Sequence, residues 1–145
     1  MLRYLLVVLV ALSVANVSET PVAQLELLVQ NVRANHGKLW IGIYPSAAAF
    51  LDKQQAHLVE VDVRQTATQR VVVEGLAYGE YAVALFHDLN DNDELDFNWM
   101  GIPAEPFAFS RPVTSKWRLP EFDEVKIELT SGYQRVRTDL RTWWD

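Results

Sequence analysis

Polar and apolar residues alternate along Glu124-Val125-Lys126-Ile127-Glu128-Leu129-Thr130, a period of two that puts every second side chain on one face of a β-strand. His57 to Arg64 repeats the pattern, with Val59, Val61 and Val63 set against Glu60, Asp62 and Arg64, and Gln69 to Glu74 reads as a further strand. Tyr81-Ala82-Val83-Ala84-Leu85-Phe86 is apolar throughout, as expected of a central strand covered on both faces, and it delivers His87 and Asp88 to the edge of the core.

Upstream, residues 25–32 and 38–44 are apolar runs separated by the turn residues Asn35-His36-Gly37, which predicts a hairpin. Ser46 to Asp52 follows Pro45 with three alanines behind a capping serine, which predicts one or two helical turns. Residues 75–80 predict a turn, and the glycine and two prolines of Gly101-Ile102-Pro103-Ala104-Glu105-Pro106 forbid regular structure. Val113 to Asp123 reads as a long connection, and the tail from Tyr133 to Asp145 fits either a final strand or a docked helix. No internal repeat or linker divides the chain. These pieces assemble most simply into one all-β domain, an antiparallel β-sandwich of about seven strands, transthyretin-like or immunoglobulin-like.

Composition agrees with one domain: 145 residues, 50% of them hydrophobic, suffice for a single core. The first twenty residues have the plan of a cleavable signal peptide. Arg3 precedes an uncharged run from Tyr4 to Leu12, and the small residues Ser13 and Ala15 stand where a peptidase cuts. The run is shorter than the ~20 residues of a membrane span, so the mature domain is expected to be residues 16–145 with no stable membrane anchor. The chain has no cysteine, which excludes a lipid-anchored lipoprotein and any disulfide, and points to a periplasmic or secreted domain held by its core alone. Its net charge is −6, and loss of Arg3 with the signal makes it more negative still. An acidic chain without a basic run is a poor partner for nucleic acid or anionic lipid, and suits a cation.

The stretch Phe86-His87-Asp88-Leu89-Asn90-Asp91-Asn92-Asp93-Glu94-Leu95-Asp96-Phe97-Asn98 carries the candidate chemistry. Ca²⁺ takes six to eight oxygens at about 2.3–2.6 Å, which a chain supplies from short-armed residues at alternate positions around a bend. Asp88, Asn90, Asn92 and Asp96 stand at positions 1, 3, 5 and 9 of such a loop, with Glu94 at position 7 offering its backbone carbonyl. Position 6 is Asp93 instead of glycine, a mild change because Asp tolerates a left-handed backbone. Position 12 is Trp99 instead of a bidentate Glu, which rules out an ordinary EF-hand and leaves Glu105 as the nearest carboxylate to complete the shell. The competing reading is a polar hairpin end in which Asp and Asn bond their own backbone. If metal binds, the sparse ligand set implies affinity on the order of 10⁻⁴ M.

From Gly79 to Ser110 the sequence resembles an exported bacterial family, domain of unknown function 2141. The resemblance rests on Gly79, Tyr81, Ala82, Val83, His87, Asp88, Asn90, Asn92, Leu95, Asp96, Asn98, Gly101, Pro103, Glu105, Phe107, Phe109 and Ser110. It extends in character over about residues 25–130, and departs from the family at Asp93 and Pro106. The family carries no established activity, so the resemblance implies export and an acidic loop, and no mechanism. Gly75-Leu76-Ala77-Tyr78-Gly79-Glu80-Tyr81 is also similar to the strand-turn-strand of carboxypeptidase-regulatory and transthyretin-like sandwiches.

An enzyme would use His87 as base, oriented by Asp88 or Glu105, with Ser110 as nucleophile. Adjacent residues of a strand point to opposite faces, so Asp88 is badly placed to orient His87, and no nucleophile elbow or zinc pair occurs. No catalytic residue is assigned. The sequence thus predicts an exported, non-catalytic sandwich with a Ca²⁺ loop at Asp88, Asn90, Asn92, Glu94, Asp96 and Glu105. The alternative is a module binding saccharide or peptide through Phe97, Trp99, Phe107, Phe109 and Trp117; a cell-envelope protein is a further candidate partner, and a hydrolase comes third.

Overall fold

The computed structural model describes residues 20–33, 35–64, 67–115 and 117–145; the expected signal peptide, 1–15, lies outside them. Two β-sheets face each other. The first has strand order β4-β1-β8, formed by β1 (Val22–Gln30), β4 (Gln69–Ala77) and β8 (Tyr133–Asp139). The second runs β3-β2-β5-β6, formed by β2 (Lys38–Tyr44), β3 (His57–Asp62), β5 (Gly79–Asp88) and β6 (Phe107–Phe109). A short strand, β7 (Ile127–Leu129), pairs with the start of β5, after a single helical turn, α1 (Phe122–Val125). Among the described residues no helix is long and apolar enough to cross a membrane.

The period-two pattern decides what lies between the sheets. Leu25, Leu27 and Val29 of β1 pack in one core with Leu39, Ile41 and Ile43 of β2 and with Val83 of β5, all fully buried. β1 is the middle strand of its sheet, and its outward Glu26 is 1% exposed. Arg70 of β4 and Arg135 of β8 close on this carboxylate from both sides, at 2.6 and 2.8 Å. The hydrogen bond from Arg70 holds the Glu26 carboxyl below the ordinary carboxylate range.

Several expectations about order and local structure are corrected. β1 and β2 are not a hairpin, because they belong to different sheets. Their connection arches over the end of the sandwich, buries Val32, and bonds to the β3–β4 connection through Val32 N to Ala67 O at 3.0 Å and Asn35 N to Arg64 O at 3.3 Å. The sandwich is not wholly antiparallel either, since the tail returns as β8 parallel to β1. Ser46 does accept from the Ala49 N–H, at 3.2 Å, but the alanine run makes only turns and ends where Leu51 turns left-handed at φ 65°. Phe50 is drawn instead into an aromatic contact with Phe122 at 6.1 Å. Among the described residues the one α-helical turn lies at the end of the segment read as connection, where the Glu121 N–H donates to Glu124 at 2.7 Å.

Candidate functional site

β5 ends by burying two polar residues side by side. His87 and Asp88 are each 0% exposed. The His87 ring accepts from the Arg33 N–H at Nδ1, 3.4 Å, and donates from Nε2 to the His36 carbonyl, 2.7 Å. This pins the β1–β2 connection to the strand. Asp88 takes the opposite direction: its carboxylate accepts the N–H groups of Asn92 at 3.2 Å and Asp93 at 2.8 Å. A carboxylate accepting from residues four and five ahead draws the chain into a tight bend. Asp91 and Asp93 are left-handed within it, at φ 59° and 66°, so Asp93 does take the backbone conformation that a glycine would ordinarily supply.

The bend turns three side chains toward one another. Asn90 Nδ2 donates to one Asp96 carboxylate oxygen at 2.7 Å and Asn92 Nδ2 donates to the other at 2.9 Å. The amide oxygens of the same residues accept the N–H groups of Asn92 and Glu94, at 3.3 and 3.1 Å. Glu105 arrives because residues 96–104 fold back on themselves. Phe97 bridges Pro103, and the Asn98 side chain accepts the N–H groups of Met100 and Ile102. Glu105 is 4% exposed and divides its oxygens between the N–H groups of Leu89, 2.7 Å, and Asp96, 3.3 Å. Asp88 and Glu105 are therefore buried braces under the loop, and Asn90, Asn92 and Asp96 are its exposed or half-exposed rim. Glu94 enters through its backbone, with its side chain exposed. Among the described residues no three His, Cys, Asp or Glu side chains are grouped so as to hold a metal ion. Any cation here must draw on amide and carbonyl oxygens.

His87 and Ser110, the pair a hydrolase would use, each bond to backbone groups. Ser110 is buried, accepts the Val83 N–H at 2.9 Å and donates to the Val125 carbonyl, so it ties β5 to the end of α1. Both side chains spend their hydrogen bonds on backbone groups.

Beside the loop, the outer face of the second sheet forms a groove of about 620 Å³. Register places Trp40 opposite Phe86, and Phe86 opposite Phe107, so three rings cross three strands in one row. The next row is small in the middle, with Gly42 opposite Ala84. The Tyr44 ring lies back across Gly42, where a Cβ would stand 2.6 Å from its hydroxyl and displace it. Phe97, Phe107, Phe109 and Trp117 of the predicted aromatic set line this groove; Trp99, 91% exposed, does not. The sequence reading missed Trp40 and Phe86, which share a face only through the pairing of β2 with β5. Lys53 Nζ stands 4.8 Å from the centre of the Trp40 ring.

Fold and loop together define an all-β sandwich domain with a self-braced acidic loop at one end of its central strand. The chain belongs to the family described as Uncharacterized protein conserved in bacteria (DUF2141), whose model matches residues 27–137. No curated protein and no solved structure matches it.

Proposed function

We propose that the protein is an exported, non-catalytic sandwich domain whose loop takes up Ca²⁺ on its outer rim. The observation that carries this reading is the convergence of Asn90 and Asn92 on the Asp96 carboxylate, above a bend fixed by buried Asp88. A half turn of either amide about χ2 replaces its NH₂ by oxygen, which turns a hydrogen-bonded cluster into a set of oxygens around one centre. The Glu94 carbonyl lies in the same bend, and Glu105 holds the loop from below. The turn of each amide sacrifices the N–H bond its oxygen now accepts, which agrees with affinity on the order of 10⁻⁴ M. At a free ion level ~100 times Kd the linkage contributes about 2.7 kcal/mol of stability. Thermal melting in Ca²⁺ and in chelator tests it: the protein melts higher with Ca²⁺, and Asp96→Ala removes the difference. Equal melting in both conditions ends the metal reading.

The groove supports a second reading, a ligand-binding module, because four of the five predicted aromatic residues line it together with Trp40 and Phe86. Pockets of roughly 300–1,000 Å³ with mostly apolar walls are the usual form of small-molecule sites. Quenching of tryptophan fluorescence by added saccharides, peptides or apolar ligands tests this reading independently of Ca²⁺.

A further inference from the structure

We infer that Arg111, Arg137 and Arg141 form a receptor for the anionic head of an amphiphile whose apolar body lies in the aromatic groove. The apolar half rests on the groove reading above; the anionic half stands on separate residues. The three arginines line one pocket of about 270 Å³. Three other arginines are held in ion pairs, Arg70 and Arg135 by the single Glu26 carboxylate and Arg118 by Glu124. Arg111, Arg137 and Arg141 make no ion pair or side-chain hydrogen bond among the described residues. One unpaired surface arginine is ordinary. Three around one concavity, in a chain of net charge −6, concentrate positive potential against the overall charge. The planar guanidinium fork suits phosphate and carboxylate.

The pocket is built on bonded backbone. Arg141 pairs with Phe107 through both backbone groups, at 3.0 and 3.1 Å, and Thr138 Oγ1 donates to the Phe109 carbonyl at 2.8 Å. Both contacts zip the end of β8 to the free edge of β6. Arg137 projects outward because its neighbours Val136 and Thr138 are buried. Arg111 follows Ser110, which is anchored to β5. Two carboxylates, Asp139 and Asp145, also line the pocket and both oppose an anion, which leaves the three arginines in excess by one charge; Asp145 in addition accepts the Thr142 N–H at 2.7 Å.

Pocket and groove meet at Phe107, Phe109, Val113 and Trp143. A head held by the arginines therefore leads its body over the rings of Phe107, Phe86 and Trp40. Such a floor offers few hydrogen-bond partners to a saccharide and ample contact to an acyl or aryl body.

Calorimetric titration of the purified protein with dodecyl phosphate below its micellar concentration, with dodecanol and with inorganic phosphate tests the inference. Dodecyl phosphate is expected to bind, with an affinity that falls as salt rises. Arg137→Ala/Arg141→Ala is expected to weaken it at least tenfold without changing the melting temperature, and Asp139→Asn to tighten it. Dodecanol binding as well as dodecyl phosphate, with no loss in the arginine variant, overturns the inference and leaves the groove reading standing. Inorganic phosphate binding as tightly as dodecyl phosphate also overturns it, since the apolar body then contributes nothing. Failure of both alkyl probes also overturns the inference, while the groove reading stands or falls separately with the saccharide and peptide titrations.

Discussion

A β-carbon on Gly37 would stand 1.7 Å from the backbone carbonyl oxygen of Asp88, so the β1–β2 connection is pressed directly against the mouth of the acidic loop. Gly37 is left-handed at φ 58°, and His36 beside it receives the His87 Nε2–H. A left-handed backbone alone costs a residue with a β-carbon about 1–2 kcal/mol, before any clash. Gly37→Ala is therefore expected to lower stability by more than that amount in chemical denaturation. Stability within a few tenths of a kcal/mol of wild type contradicts the close contact.

Asp88 and Asp96 are expected to behave differently although both belong to the loop. Asp88 is buried and closes the bend through two N–H groups, so Asp88→Ala removes charge-assisted bonds worth together about 3 kcal/mol, with or without Ca²⁺. Asp96 is half-buried and receives side-chain amides, so Asp96→Ala costs much less in chelator and loses the Ca²⁺ effect. Equal losses from both variants in chelator contradict the division into brace and rim.

Ser110→Ala leaves the Val83 N–H and the Val125 carbonyl without their buried partner and is expected to cost about 1–3 kcal/mol. A fluorophosphonate reagent is expected to leave wild-type Ser110 unlabelled. Stoichiometric labelling at Ser110 would revive the hydrolase reading.

The Arg118 guanidinium meets both oxygens of Glu124, at 2.7 and 2.8 Å, and holds its pKa down to about 2 from 4.5. A carboxyl depressed by folding stabilises the fold fully above pH 4.5, and that contribution is lost as pH falls through about 2. The melting temperature is expected to fall over this window, and to fall less steeply in Arg118→Ala. The pair is solvent-exposed, so added salt shrinks the difference. An unchanged acid limb in the variant contradicts the pairing.

The fold class was legible because burial between two sheets enforces a period of two, visible in Val59-Val61-Val63 and in Ile127-Glu128-Leu129. Strand partnership was not. Residues 25–32 and 38–44 look like hairpin arms locally, and only the burial of Val32 and the bonds from the 31–37 arch to Arg64 and Ala67 send them to different sheets. The loop was legible as a spacing of oxygens, and its bend at Asp93 followed from the tolerance of Asp for positive φ. The roles within it depended on the fold-back through Phe97 and Pro103, which makes Glu105 a brace on the Leu89 and Asp96 N–H groups. The row Trp40–Phe86–Phe107 and the arginine pocket arise from sheet pairing between segments far apart in sequence, and no local pattern encodes them.

A crystal structure grown in millimolar Ca²⁺ tests the central claim most directly. The account predicts an ion with oxygen ligands at about 2.3–2.6 Å, drawn from the Asp96 carboxylate, the turned amides of Asn90 and Asn92 and the Glu94 carbonyl. Amide nitrogens still donating to Asp96, with no ion between them at that concentration, would contradict it.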